Sequence, residues 1–429
     1  WSKLAMTFPK SKITALIGTV SMVPCFYMKK ILIFSLVYYP SHVGGAEVAI
    51  KGITDRISPE EIEFHMVCLR FDRNLPAVEK MGNVLVHRIG FTANNPAIAD
   101  LGKFPLHLNK GIFQFSAAWK AHQLYKKHRY DAVWGMMAHA TGVPAGMFKT
   151  FHPNVPYLLT LQEGDPTDYI ERKMRPLWPF FERGFTKADV VQAISTFLGT
   201  WARTMGFTGL LHIIPNAVNT KHFSQEYPKE ELSALKAKLG KKEGDVYIIT
   251  TSRLVKKNAV DDVIKSLAFL PPQYKFLVLG IGPDEVKLRA LAKEVDVSER
   301  VMFLGQIDHK EMPKYLKISD IFTRPSLSEG MGNSFVEAMA AGIPVVATQE
   351  GGIADFLFDP DKNPDKKPTG LAVKPHNPEG LARQCKRFVE DKKLREGIIK
   401  NARELAFEKY DWDLIAKNMK NKVFEPMFK

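Results

Sequence analysis

Ser326-Leu-Ser-Glu329-Gly-Met-Gly-Asn333-Ser-Phe-Val-Glu337-Ala-Met-Ala-Ala-Gly-Ile-Pro-Val345 decides how the rest of the chain is read. The order is strand end, glycine-rich turn, helix, turn and next strand. Glu329 falls in the turn and Glu337 in the helix, with seven residues between them. A helix starting near Gly332 puts Asn333 and Glu337 four apart on one face. Phe335, Val336 and Met339 then occupy a different face that can pack on a sheet. Carboxylates aimed at a crevice beyond a strand end, beside free backbone N–H groups, suit a ligand with both hydroxyls and phosphate. A sugar nucleotide has that shape.

Outward from this stretch, short apolar runs alternate with helical segments, which predicts a parallel α/β architecture. The first series of strands is expected at Ile31–Val37, Phe64–Leu69, Val84–Ile89, Ala132–Met136, Tyr157–Leu161, Val190–Ile194 and His212–Ile214. Helices are expected between them at Ala46–Arg56, Phe113–Lys127 and Thr196–Met205. The Asn-, Pro- and Gly-rich gap from Thr92 to Leu108 reads as a mobile loop at the crevice. A second series has strands at Val246–Thr251, Lys275–Leu279, Val301–Leu304, Ile321–Arg324, Val345–Thr348 and Gly370–Val373. Its helices are expected at Ala259–Leu270, Asp284–Val295, Lys310–Ile318, Asn333–Ala341 and Pro378–Asp391. Two doubly wound halves face each other across a crevice, and Tyr410-Asp-Trp412 suggests packing across their junction.

Composition agrees with two domains, since 429 residues exceed what one hydrophobic core usually supports. Residues 1–27 read as a disordered or non-native extension, with a signal peptide or membrane-associating tail as the other readings. Residues 28–218 form the expected N-terminal domain and 219–408 the C-terminal domain. Residues 409–429 are expected as a helix packing across the junction. Three cysteines, Cys25, Cys68 and Cys385, are far apart without metal-ligand spacing, which favours a reduced, cytoplasmic setting. The net charge of +14 favours an anionic partner. Lys and Arg are scattered rather than gathered in one run, so no nucleic-acid partner is expected. No apolar stretch reaches the roughly 18–20 residues that span a bilayer.

Several strand-end turns can carry chemistry. Gly44 and Gly45 let backbone approach a phosphate or sugar, and the following helix offers its positive end; a plain strand-to-helix turn would look the same. Arg253 and Lys257 follow the first strand of the second half and can neutralise a diphosphate, Arg as a planar fork and Lys as a point charge. Gly305 and Gln306 stand where backbone groups could read a nucleobase edge. Each of these turns could also be merely structural.

Taken in order, these segments resemble the retaining glycosyltransferases of family 4 (glycosyl transferases group 1), over about Lys29 to Trp412. The likeness includes Gly-Gly-Ala-Glu47, Pro215-Asn216, Ser252-Arg253-Leu254, Gly280-x-Gly282-Pro283 and Val301-x-Phe-Leu-Gly305. Pro325-Ser326, the E-x7-E pair, Ala338-Met-Ala-Ala-Gly-Ile-Pro-Val-Val346 and Gly351-Gly352 complete it. It implies the GT-B fold: two facing Rossmann-like domains with parallel sheets, the N-terminal one for the acceptor and the C-terminal one for the nucleotide-sugar donor, and a C-terminal helix crossing back to the first. It implies that Glu337 binds the ribose hydroxyls, for which a carboxylate has the acceptor capacity. Glu329 would contact donor-sugar hydroxyls, and the amides of Gly330, Met331, Gly332 and Asn333 the sugar or phosphates. Arg253 and a nearby Lys would stabilise the departing diphosphate, so catalysis is assigned to Glu329, Arg253 and Lys257. The implied activity is metal-independent, cofactor-free hexosyl transfer from a nucleoside-diphosphate sugar to a sugar, lipid-linked or polysaccharide acceptor, with retention. A bacterial role in cell-envelope or polysaccharide biosynthesis goes with it. A nucleotide-sugar epimerase of the same fold, or a non-catalytic nucleotide-sugar-binding protein, are the alternatives.

The sequence departs from that family in two places. The usual Lys, five residues after the Arg, is Asn258 here, with Lys257 one position earlier. The loop after the fifth strand reads Thr160-Leu-Gln162-Glu163-Gly164-Asp165 where many members carry a His. Gln162 can hydrogen-bond a sugar but cannot act as a base near neutral pH. The acceptor-side candidates are therefore His139, Gln162 and Glu163, with packing as the other reading of His139. Asp359-Pro-Asp361 reads as a turn, and no metal is expected. Tyr169 to Phe185 mixes aromatics with basic residues and reads either as a cover over the sheet or as a surface for an anionic membrane. Pro176 and Pro179 argue against one long helix there. The second reading would place the protein at the inner face of the plasma membrane.

Overall fold

The computed structural model describes residues 28–40 and 44–429, apart from the side chains of 98 and 99. The extension expected over residues 1–27 lies outside the described residues. The first half contains β1 (Lys29–Phe34), β2 (Ile62–Leu69), β3 (Val78–Met81), β4 (Val84–Ile89), β5 (Ala132–Met136), β6 (Tyr157–Leu161), β7 (Val190–Ala193) and β8 (Leu210–Ile213). They form one sheet in the order β3-β4-β2-β1-β5-β6-β7-β8. The second half contains β9 (Val246–Thr251), β10 (Tyr274–Leu279), β11 (Val301–Gly305), β12 (Ile321–Arg324), β13 (Val345–Ala347) and β14 (Leu371–Ala372), in the order β11-β10-β9-β12-β13-β14.

The sheets are covered by α1 (Gly45–Thr54), α2 (Asn109–His128), α3 (Val143–Phe151), α4 (Thr167–Met174), α5 (Trp178–Thr186) and α6 (Thr196–Thr204) in the first half. The second half adds α7 (Thr220–Ser224), α8 (Lys229–Lys238), α9 (Val260–Ser266), α10 (Glu285–Glu294), α11 (Met312–Lys317), α12 (Asn333–Ala341), α13 (Pro378–Glu390) and α14 (Lys392–Lys409). Helices on both faces explain the composition of the central strands. β9 is buried along its whole length and β1 over Ile31–Phe34, as expected for strands in a parallel sheet.

The structure departs from the expected elements at α3 and α8, where no helix was named, and in two further places. β3 is an additional strand, antiparallel on β4 at the sheet edge. Its residues alternate between exposed and half-buried, so no apolar run marks it. The segment Thr92–Leu108 is not a structureless loop at the crevice. It contains 3-10 turns at Ile98–Gly102 and Leu106–Leu108, and none of its described residues lines the interdomain cleft. Asn109 closes the segment by accepting from the Phe91 amide (2.7 Å) and donating to the Phe91 carbonyl (2.9 Å), which starts α2 four residues earlier than expected.

The chain passes between domains twice, and both passages lie together. The Val218 amide donates to the Tyr410 carbonyl at 2.8 Å, and Thr220 Oγ1 to Asp411 Oδ2 at 2.8 Å. After α14, residues from Trp412 onward return to the first domain. Phe424 meets Phe64 and Trp134 edge-on, with centroids 5.9 and 5.2 Å apart. Trp412 lies over Gly52, where an added Cβ would come within 2.6 Å of the indole. In each sheet the strand order reverses beside the first strand, between β1 and β5 and between β9 and β12. The loops leaving these strand ends open toward one another, where a doubly wound sheet binds its ligand.

Candidate functional site

Between the sheets lies a cleft of about 910 Å³. The second domain supplies Arg253, Lys257, Gln306, Arg324, Glu329, Gly330, Met331, Gly332, Asn333 and Glu337 to its lining. The first supplies Gly44, Gly45, Glu47, Met137, Gln162 and Asn216. Among the sequence candidates, Gly305, His139 and Glu163 do not line it. Gly305 is a turn residue whose carbonyl accepts from the Gly280 amide at 2.7 Å, joining the ends of β10 and β11.

The wall of the second domain is built around α12. Gly332, at φ +90°, caps the helix in a left-handed conformation that favours glycine, and among the described residues no side chain caps this end. The turn before the helix and its first residues line the cleft, so the helix presents its positive end there. Glu337 lies one turn further along the same face. Gly330 is confined by the other domain: an added Cβ would stand 2.2 Å from the Glu163 carbonyl oxygen.

Glu329 is held from below. Arg324, the last residue of β12, is buried and donates through Nη2 to Glu329 Oε2 at 2.7 Å. Its Nε donates to Ser326 Oγ at 3.1 Å, and the guanidinium lies 4.4 Å from the centre of the Phe335 ring. Burial pulls Arg324 below its ordinary pKa, while the charges of Glu329 and Glu337 push it back up. Glu337 has a different neighbour. Its Oε1 is 3.4 Å from Nε2 of the half-exposed His309. That hydrogen bond raises the His309 pKa above its ordinary value, against the effect of burial. His222 stacks on His309, with ring centroids 5.6 Å apart.

The phosphate candidates are arranged differently from one another. Arg253 is exposed at the end of β9, with no carboxylate partner among the described residues. Lys257 also lines the cleft, but its Nζ donates across the interface to the Gly164 carbonyl at 2.6 Å and lies 3.3 Å from Asp165 Oδ1. Asn258 is buried and donates to the Arg253 carbonyl at 2.7 Å, which makes it a brace for the Arg253 loop.

On the first domain, the Gly44 amide is taken by Glu47, whose Oε2 accepts it at 2.7 Å. Burial raises the Glu47 pKa, and this hydrogen bond works against the rise. Thus one of the amides expected to meet ligand is already occupied, while Gly45 has open space beside it. Gln162 accepts from Asn216 Nδ2 at 3.2 Å and remains at the cleft surface. Glu163 is fully buried, accepting from the Gln162 amide at 2.9 Å with His139 Nδ1 3.4 Å away, so this pair braces the loop from behind. Asp359 is a buried turn residue that accepts from the amides of Ala372 (2.6 Å) and Asp361 (2.8 Å), and Asp361 pairs with Arg387. Neither lines the cleft.

Arg324, Glu47 and Met137 are among the lining residues that the sequence did not assign to the site. Arg324 had a signal, because a cation inside the apolar run Ile-Phe-Thr-Arg324 must find a carboxylate if the strand is buried, and Glu329 follows five residues later. Glu47 also had one: it stands three residues after Gly44, as in a capping box. Met137 had none. It holds φ +69° at the end of β5, a conformation that costs a non-glycine residue energy.

Comparison with known proteins agrees with this geometry. The family model for glycosyl transferases group 1 matches residues 233–405, and that for glycosyltransferase family 4 matches residues 43–222. Among curated relatives, a GDP-mannose-dependent monoacylated alpha-(1-6)-phosphatidylinositol monomannoside mannosyltransferase of Corynebacterium glutamicum is 28% identical, over 55% of this chain and 62% of its own. The chain spans about half the length of the curated relatives it matches, 52% and 39% for two others. Sucrose-phosphate synthase from Thermosynechococcus elongatus superposes with a TM-score of 0.74 at 21% identity, covering 93% of this chain and 99% of that one. Anabaena HepE, solved with UDP and glucose, gives 0.70 at 22% identity, covering 92% and 100%. With most of its length matched by the two family models, the chain belongs to family 4 of the glycosyltransferases and has the GT-B fold.

Proposed function

We propose that this protein transfers a hexosyl group from a nucleoside-diphosphate sugar to a sugar, lipid-linked or polysaccharide acceptor, with retention and without a metal. The observation that carries the reading is the shared wall of Glu329, Glu337 and the α12 N-terminus, faced by Arg253 with no carboxylate partner among the described residues. Glu337 is assigned to the ribose diol, and Glu329, aimed by Arg324, to a hydroxyl of the donor sugar. Arg253 and the α12 amides take the diphosphate, where negative charge grows as the bond from the anomeric carbon to phosphate oxygen breaks. Lys257 joins them when it leaves Gly164. The acceptor oxygen bonds to the anomeric carbon on the face the phosphate leaves, and its proton passes to the departing phosphate oxygen. The UDP bound by the Anabaena protein and the GDP-mannose used by the Corynebacterium protein support a nucleotide-sugar donor. A cytoplasmic setting at a membrane's inner face, with an envelope product, belongs to the same proposal.

A thermal-shift panel of UDP-, GDP- and ADP-sugars identifies the donor, since a ligand at 100 times its dissociation constant adds about 2.7 kcal/mol. Glu337→Ala is expected to weaken binding of that donor roughly 10- to 100-fold by removing charge-assisted hydrogen bonds. Unchanged affinity would sink the ribose assignment. Donor isomerised without any acceptor would identify an epimerase instead, and binding without turnover a nucleotide-sugar-binding protein.

A further inference from the structure

Away from the cleft, the first domain carries an uncovered aromatic face. α2 has 20 residues, including Lys110, Lys120, Lys126 and Lys127, and no Asp or Glu. Its inner side is buried through Phe113, Ala117, Ala121 and Leu124. On the other side Ile112, Phe115 and Trp119, spaced i, i+3 and i+7, are 44%, 42% and 66% exposed. The face continues onto neighbouring helices. Phe115 meets the exposed Phe180 of α5 edge to face at 5.9 Å. Trp119 stacks on His122, and His122 stacks on His152 beside Phe151, which is 67% exposed. His122, Lys126, Arg129, Phe151 and His152 line a hollow of about 410 Å³.

Single exposed apolar residues are ordinary, whereas a connected set marks an interaction site. The chemistry of the rim selects the occupant. Aromatic side chains with cations at their flank match the headgroup layer of an anionic bilayer, which takes the rings at its apolar boundary and the cations at its phosphates. The lack of carboxylates on α2 removes the groups that such a surface would repel.

We infer that α2 and its neighbouring turns seat the first domain on an anionic lipid bilayer. Ile112, Phe115, Trp119 and Phe180 enter the interfacial layer, and the hollow at Lys126 and Arg129 receives lipid phosphate. The same turn of α2 sends Gln114 inward to donate to the Ala140 carbonyl at 3.3 Å, in the segment that follows Met137 on the cleft wall. α2 is thereby tied to the segment that follows Met137.

The test is co-sedimentation of the full chain with vesicles of phosphatidylcholine plus phosphatidylglycerol, and with phosphatidylcholine alone. It uses no donor or acceptor, so its outcome is separate from that of the transfer reaction. Binding is expected only to the mixed vesicles and should weaken as salt rises. The double variant Phe115→Ser, Trp119→Ser alters exposed positions and should lose at least about tenfold in partitioning. Lys126→Ser and Arg129→Ser should each lose about fivefold. Equal binding to neutral vesicles would overturn the inference, as would wild-type partitioning by all three variants. So would light scattering that shows a dimer converted to monomer by the double variant, because a second copy would then cover the face.

Discussion

The two walls of the cleft are built in opposite ways. The carboxylates of the second domain's wall lie on one continuous segment, in which Arg324, Glu329, Gly332, Asn333 and Glu337 follow one another through a strand end, a turn and a helix, beside the separate turns of Arg253, Lys257 and Gln306. The wall of the first domain is assembled from the short turn Gly44–Glu47 and from single residues of distant strand ends: Met137 after β5, Gln162 after β6 and Asn216 after β8. A continuous segment fixes its geometry by local rules of turn, cap and helical period. A mosaic wall depends on how distant strands are placed. Ligand recognition in the first can be inherited as a unit, while the second can change one residue at a time.

The largest expected effect comes from the support beneath the continuous wall. Arg324→Met takes the guanidinium from Glu329, whose side chain is 14% exposed, and losing one partner of a largely buried pair costs about 3–5 kcal/mol. The melting temperature should fall well below wild type. In protein that remains folded, turnover should fall more than donor affinity, since Glu337 keeps its position. Wild-type stability together with wild-type turnover would show that Glu329 holds its place without Arg324.

A smaller effect is expected where the two walls touch. Gly330→Ala puts a methyl group against the Glu163 carbonyl of the other domain, so the domains must part locally. Overpacking of this kind costs roughly 1–3 kcal/mol. The expected signature is a fall of about tenfold in kcat/KM, since about 1.4 kcal/mol of lost transition-state stabilisation corresponds to that factor. Donor dissociation measured by calorimetry would distinguish a displaced wall from a merely less stable one.

The smallest effect concerns pH. Hydrogen bonding to Glu337 raises the His309 pKa above the ordinary 6.5, so the charged pair is present below that value and lost as pH rises through the raised one. Protonated His309 competes with a ribose for the Glu337 carboxylate. Nucleotide affinity should therefore improve as pH rises through the raised value, and His309→Gln should abolish the step. Parallel pH dependence in the two proteins would exclude His309 as its source.

The same contrast explains what could be read from residues alone. Strands such as Ala132–Met136, Tyr157–Leu161 and Val246–Thr251 stood out because burial on both faces demands mostly apolar runs. β3 did not, since an edge strand half in water has no such run. Glu329 and Glu337 were legible because their spacing is local. The direction of Lys257 was not, because it is set by the carbonyl of Gly164, on a loop of the other domain. His139 and Glu163 were plausible as polar residues near strand ends, yet the fold turns them toward each other behind the surface. Within Tyr169 to Phe185, Ile170, Met174, Phe181 and Phe185 are buried against the domain, as a cover over the sheet requires, while Phe180 is exposed beside Phe115 of α2.

The return of the chain to the first domain also bears on how the protein is made. Trp412, Ile415, Met419, Val423, Phe424 and Met427 belong to the same apolar cluster as Ile31, Phe64 and Trp134. A ribosome releases that final layer only after the whole of the second domain has been translated. Domains usually fold in the order in which they emerge. Here the half that is synthesised first is the half completed last, and until then the nascent chain shows the surrounding cell an unfinished core.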